Sequence, residues 1–141
     1  MAEAILRDQI QKVGKETAFC TASAGIYAMP GDAISDYAAW ALRQMGIDVP
    51  SNGAQRVTEE LLQEAHVVLT MERRHAQVLC EMFPQYADKI IPICRWAGAA
   101  QWQDVPDPYG AGQAVYLNTA EKIQKLAEQC LHRLLKEETE K

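Results

Sequence analysis

The sequence predicts an α/β domain built on a small parallel sheet, and three observations carry that expectation. Short apolar or β-tolerant runs at 19–24, 67–71 and 90–94 alternate with segments of helical period. Strands separated by helices pair in parallel through right-handed crossovers. The 67–71 run, Val-Val-Leu-Thr-Met, has the near-continuous apolar character of a strand covered on both faces. Finally, 141 residues at 48% hydrophobic and 23% charged make one domain with enough chain to bury a core. Residues 1–136 are read as that domain and 137–141 as a charged tail.

Each element follows from local signals. The first helix begins at Met1, carries Ile5, Ile10 and Val13 on one stripe, and runs to about Lys15, where Gly14 weakens its end. Gly25 and the Pro30-Gly31 pair terminate the 19–24 strand. Ser35 or Asp36 caps a second helix that passes through Tyr37, Trp40, Ala41 and Met45 and closes at Gly46. Pro50 to Gly53 is a turn, and Thr58 caps a short helix ahead of the 67–71 strand. A helix over 72–83 turns Val78, Leu79 and Met82 inward. In the 90–94 strand Pro92 lacks a ladder donor, which makes it an edge. Residues 96–112 have no period, are rich in Pro, Gly and Asp, and exceed an ordinary connection, which marks a functional loop. A last helix repeats Tyr116, Ala120, Ile123, Ala127, Cys130 and Leu134, and 136–141 is expected to fray.

Composition narrows the function. A net charge of −5 and a pI near 5.2, without clustered Lys and Arg, exclude nucleic acid and anionic membrane surfaces as partners. No apolar run approaches the ~20 residues of a membrane span and no leader pattern opens the chain, so a cytoplasmic address is expected. Cys20, Cys80, Cys94 and Cys130 show no paired spacing, so they read as reduced, buried apolar residues rather than a metal site or disulfide framework. No cofactor is expected. Gly110-Ala-Gly112 lacks the third glycine and the preceding strand of a dinucleotide fingerprint. His75 reads as structural, and Arg73 and Arg74 as a solvated face.

The loop holds the clearest chemical candidate. Pro106 and Pro108 stiffen the chain on both sides of Asp107, and Trp102 and Tyr109 stand nearby. A carboxyl held rigidly beside aromatics can serve as a general acid. Taken alone, Asp-Pro-Tyr-Gly is read more simply as a turn.

Its position in the chain alters that balance. Met1-Ala-Glu-Ala4, Ser23-Ala-Gly25, Gly46-Ile-Asp48, Ala54-Gln-Arg-Val-Thr58, Val68-Leu-Thr-Met71 and Asp104-Val-Pro-Asp-Pro-Tyr-Gly110, in this order, resemble the low-molecular-weight protein tyrosine phosphatases, with their arginine-phosphatase and arsenate-reductase relatives. The resemblance spans essentially the whole chain. It implies a three-layer α/β sandwich and a phosphorylated protein side chain, phosphotyrosine or phosphoarginine, as substrate. By the same resemblance Asp107 is the catalytic acid, Tyr109 and Trp102 border the substrate, Ser23 and Asn52 support the phosphate loop, and Asp104 is a secondary acid. Asn52 departs from the histidine of many relatives, and His66 from their acidic residue. The Tyr109-Gly110 pair leans toward the bacterial branch that includes the arginine phosphatases.

The family's nucleophile, a thiolate in a Cys-x5-Arg-Ser loop, is not matched. The residues six positions after the four cysteines are Ile26, Tyr86, Ala100 and Lys136. Resemblance places that loop and the central strand before it ahead of Met1, so the chain as given is expected to lack both and to be inactive. A sheet without its central strand exposes ladder groups, and poor stability or self-association through the gap is expected. The alternative is a non-catalytic remnant in which the first helix binds inorganic phosphate through its N-terminus.

Overall fold

The computed structural model describes residues 1–51, 53–99 and 103–139. Helix α1 spans Ala2–Lys12 and buries Ala4, Ile5 and Ile10. It stops short of the expected Lys15 because Gly14 turns to φ +70°. Helix α2, Asp36–Gln44, is capped by Ser35 Oγ, which accepts from the Ala38 amide at 3.3 Å. Helix α3, Glu59–Glu64, is capped in the same way by Thr58, which accepts from the Leu61 amide at 3.3 Å. Strand β1 is Val68–Thr70, helix α4 Arg73–Met82, and strand β2 Ile90–Pro92. Helix α5, Ile93–Trp96, and the long α6, Gln113–Thr139, complete the chain.

The two strands pair in parallel, Val68 with Ile90, Leu69 with Ile91 and Thr70 with Pro92. Period-two alternation divides their side chains between two cores. Val67, Leu69, Met71 and Ile91 pack on the larger core, built with Ile5 of α1, Leu42 of α2, Trp96 of α5 and Ile123 of α6. Val68 and Ile90 face the smaller one, with Ala76 and Leu79 of α4. Helices therefore cover both faces, the α/β layering that the 67–71 run predicts.

Four expectations are corrected. Residues 19–24 form no strand; the nearest pairing is an isolated parallel bridge between Gly25 and Arg56. A strand exists only against a ladder partner, and among the described residues the sheet order is β1-β2 alone. The 90–94 strand ends at Pro92, and Ile93, Cys94 and Trp96 are buried by helical turns instead. A 3₁₀ helix over Pro84–Lys89, opened by Pro84, joins α4 to β2 where no element was expected. Finally, α6 continues through the expected frayed tail to Thr139. Glu137 there meets His66 at 3.3 Å and Arg133 at 3.2 Å, and Glu138 meets Lys15 at 3.5 Å.

Gly53, expected to end a turn, is set by contact. A Cβ on Gly53 would meet the Gly31 backbone at 2.7 Å, so only glycine lets these two loops touch. The Ala54 amide donates to Asp32 O at 2.7 Å beside that contact.

Candidate active site

Three pieces of chain converge at the N-terminal end of α1: the helix start itself, the 21–25 segment, and the 103–112 loop. Met1 is the N-cap residue and gives no side-chain cap, so the first amides of α1 and the helix dipole face this corner. Ser23 donates from Oγ to Glu3 Oε2 at 2.5 Å, and Glu3 also pairs with Arg7 one turn on. Burial lowers the pKa of the Met1 α-amino group, while the negative charges of Glu3 and Asp107 act in the opposite direction. Ser23, expected to support the phosphate loop, is thus tied to Glu3 on the first turn of α1, and the charge of Asp107, the acid expected from the loop, acts on the Met1 amine at the same helix end.

The loop reaches that corner from a firmly held base. Val105, 2% exposed, is driven into the larger core, and its amide donates to Met71 O at 2.9 Å. Cys94 Sγ bonds Gln103 O, and Lys122 Nζ donates to Asp104 O at 2.9 Å. Beyond the base, Asp107 Oδ1 accepts from the Tyr109 amide at 3.0 Å, and the Ala111 amide closes a turn on Pro108 O at 2.8 Å. Gly110 holds φ +84° in that turn, a conformation glycine takes without penalty. The Asp-Pro-Tyr-Gly segment is therefore a turn, with the Asp107 carboxylate as one of its acceptors. Tyr109, 84% exposed, stands clear of the surface.

Asp104 is placed apart from Asp107. Its Oδ1 accepts from the Arg73 backbone amide at 3.0 Å and from Arg73 Nε at 3.2 Å, at the first turn of α4. The hydrogen bond from the Arg73 amide, reinforced by the guanidinium, holds its carboxyl below the usual carboxylate range. A small cavity of about 90 Å³ opens behind it, between Met71, Arg73, Cys94 and Arg95, and does not include Asp107. Asn52 and Trp102 lie outside the described residues.

The cysteines offer no thiolate to this corner. Burial pushes the Cys94 thiol up and the Cys130 thiol to about 12, opposite to what a nucleophile needs. Cys20, expected to be buried, is exposed and Cys80 is half-buried; both are free thiols without the Cys-x5-Arg spacing. Among the described residues no group of three or more His, Cys, Asp or Glu is placed to hold a metal ion, and no helix is long and apolar enough to cross a membrane.

Sequence reasoning missed Glu3, Arg73 and Lys122 as partners of the site. Only Glu3 left a signal, its four-residue spacing to Arg7 on the first helix. Arg73 and Arg74 both lie on the expected solvated face, where Arg73 also grips Asp104 and Arg74 pairs with Glu72 at 3.0 Å.

The family model for low molecular weight phosphotyrosine protein phosphatases matches residues 1–140. The chain belongs to that family. It is 28% identical to the protein-arginine-phosphatase of Bacillus subtilis (strain 168) over 137 residues, covering 97% of this chain and 89% of the relative. It is 30% identical to the low molecular weight protein-tyrosine-phosphatase Wzb of Salmonella typhi over 99 residues, 67% of this chain and 64% of the relative. The solved low molecular weight protein tyrosine phosphatase from T. tengcongensis superposes with a TM-score of 0.87 at 34% identity, covering 94% of this chain and 88% of that one. The phosphatase resemblance and the α/β fold read from the six segments are thereby shown.

Proposed function

We propose that this chain carries the acid-bearing half of a phosphatase site for phosphorylated protein side chains, phosphotyrosine or phosphoarginine, that works through a cysteine-phosphate intermediate. In that reaction a thiolate attacks phosphorus, the bond to the side-chain oxygen or nitrogen breaks, and Asp107 gives its proton to the departing atom. Tyr109 and Trp102 border the substrate, while Ser23 and Asn52 support the phosphate loop. The observation that carries the reading is the N-terminal end of α1, whose first amides and dipole favour a phosphoryl anion and where the negative charge of Asp107 is felt at the Met1 amine. Family membership supports the same chemistry.

No cysteine in the 141 residues has arginine six positions on, so the polypeptide by itself is read as inactive. The test is hydrolysis of p-nitrophenyl phosphate and of phosphoarginine. We expect no turnover by the 141-residue chain; turnover that Asp107→Asn abolishes would overturn this. If the DNA before the Met1 codon encodes an in-frame Cys-x5-Arg, the longer chain should be active, and Asp107→Asn should slow its kcat by roughly 10²- to 10⁴-fold. Unchanged kcat would remove Asp107 from the acid role. The free state of all four cysteines supports a cytoplasmic address. The edge of β1 not paired with β2 supports self-association, read as a Tm that rises with protein concentration.

A further inference from the structure

We propose that Asp104 is a positioning residue whose carboxylate, clamped on the first turn of α4, aims the loop so that Asp107 arrives at the N-terminal end of α1. The inference rests on the reading of Asp107 as the acid and assigns Asp104 a different task from that of a second acid.

Helix α4 shows why the clamp exists. Its N-cap residue, Glu72, provides no side-chain cap, which leaves first-turn amides in need of an acceptor. Asp104, 31 residues away in sequence, supplies one to the Arg73 amide and binds the Arg73 guanidinium with the same oxygen. One carboxylate therefore completes a helix cap and ties down a loop, with charge-assisted bonds on both counts. A carboxylate held as an anion in this way is poorly suited to donating a proton.

The clamp also transmits direction. Lys122 of α6 fixes the Asp104 carbonyl, Val105 is locked to Met71 and buried, and Cys94 of α5 holds Gln103. From Val105 only Pro106 intervenes before Asp107, and Pro106 and Pro108 each have a ring-locked φ. The clamp and the Val105 anchor are adjacent and little conformational freedom separates them from the acid, so releasing the clamp loosens one of the two ties that set the direction of the segment carrying Asp107. By contrast, the bond from the Tyr109 amide to Asp107 lies wholly within the loop and does not depend on where the loop points.

That contrast supplies the test. In the full 141-residue chain, Asp107→Asn should shift the amide NMR resonances of Ala2, Glu3 and Ala4, because the charge is removed from the helix end, and also that of Tyr109. In an Asp104→Asn background, the Tyr109 shift should persist while the shifts at Ala2 to Ala4 fall to half or less, a non-additivity that marks coupling. Asp104→Glu should restore them in part, and Arg73→Gln should reduce them less than Asp104→Asn does, since the backbone donor remains. If Asp104→Asn fails to fold, Arg73→Gln carries the test, because that side chain is 66% exposed. Equal shifts at Ala2 to Ala4 in every background would overturn the proposal, as would their absence in the unmodified chain. Failure of the acid reading has a separate signature: hydrolysis by a longer, active chain that ignores Asp107→Asn while the resonance coupling persists.

Discussion

Two irregular segments meet at the helix α1 corner, and they are held in opposite ways. The 103–112 loop enters the corner from a base gripped by Met71 just after β1 and by α4, α5 and α6, with Val105 sunk into the larger core. Beyond the half-buried Phe19, the 19–25 segment offers Thr21, Ala22, Ser23 and Ala24, with little apolar surface to bury, and their ties are polar: Ser23 to Glu3, Gln55 to Ser23 O at 2.9 Å, and the Gly25 bridge. Cys20, Ser23 and Ala24 are exposed, and the Thr21 hydroxyl is buried with no partner among the described residues. A loop can be fixed without backbone pairing when one apolar side chain anchors it. A run of small residues depends on a ladder.

The largest test of this contrast is Val105→Ala, which should cost about 2 to 3 kcal/mol in urea unfolding through lost burial and the cavity left behind. A loss below about 0.5 kcal/mol would mean that the loop is not anchored by its side chain. Next is Gly110→Ala. There is open space for its Cβ, but the residue sits at φ +84°, so backbone strain of roughly 1 to 2 kcal/mol is expected in the same assay.

The third test uses pH. The folded-state pKa of Asp104 is depressed, chiefly by the Arg73 amide, so its contribution to holding the loop is complete above the ordinary carboxylate range and is lost as pH falls through the lowered value. Hydrogen exchange at the Val105 amide should accelerate over that acid interval relative to the α1–α6 core, and Asp104→Asn should remove the pH dependence. The smallest effect belongs to the 19–25 segment. Thr21→Val replaces an unpartnered hydroxyl with a methyl of similar shape and should leave stability within about 0.5 kcal/mol or raise it slightly. A marked loss would reveal a partner for that hydroxyl and bring the two segments closer in kind.

How much of the site could be read beforehand follows the same division. The caps at Ser35 and Thr58, the helix over 73–82 and the strand at 68–70 each rest on signals within a few residues, and each stands where its local chemistry puts it, although Met82, expected inward, is exposed at the end of its helix. Asp107 stood out as a candidate because the prolines and the family-like order of segments mark it. The Asp104–Arg73 clamp was not, since its partners are separated by 31 residues and neither position carries a pattern that points to the other. The 19–24 strand misled because β-tolerance describes what a backbone can do, whereas pairing depends on what lies beside it.

The amino-acid sequence by itself determined the helix periods, the caps, the α/β class and the stiff acidic loop, because these arise from side-chain spacing and backbone preference over short range. Tertiary structure alone decided that Ser23 meets Glu3 at the start of α1, that Asp104 turns away to bind Arg73, and that residues 19–24 form no strand. Those outcomes depend on which distant groups burial brings within hydrogen-bond reach, and reach is a property of the packed chain rather than of any segment within it.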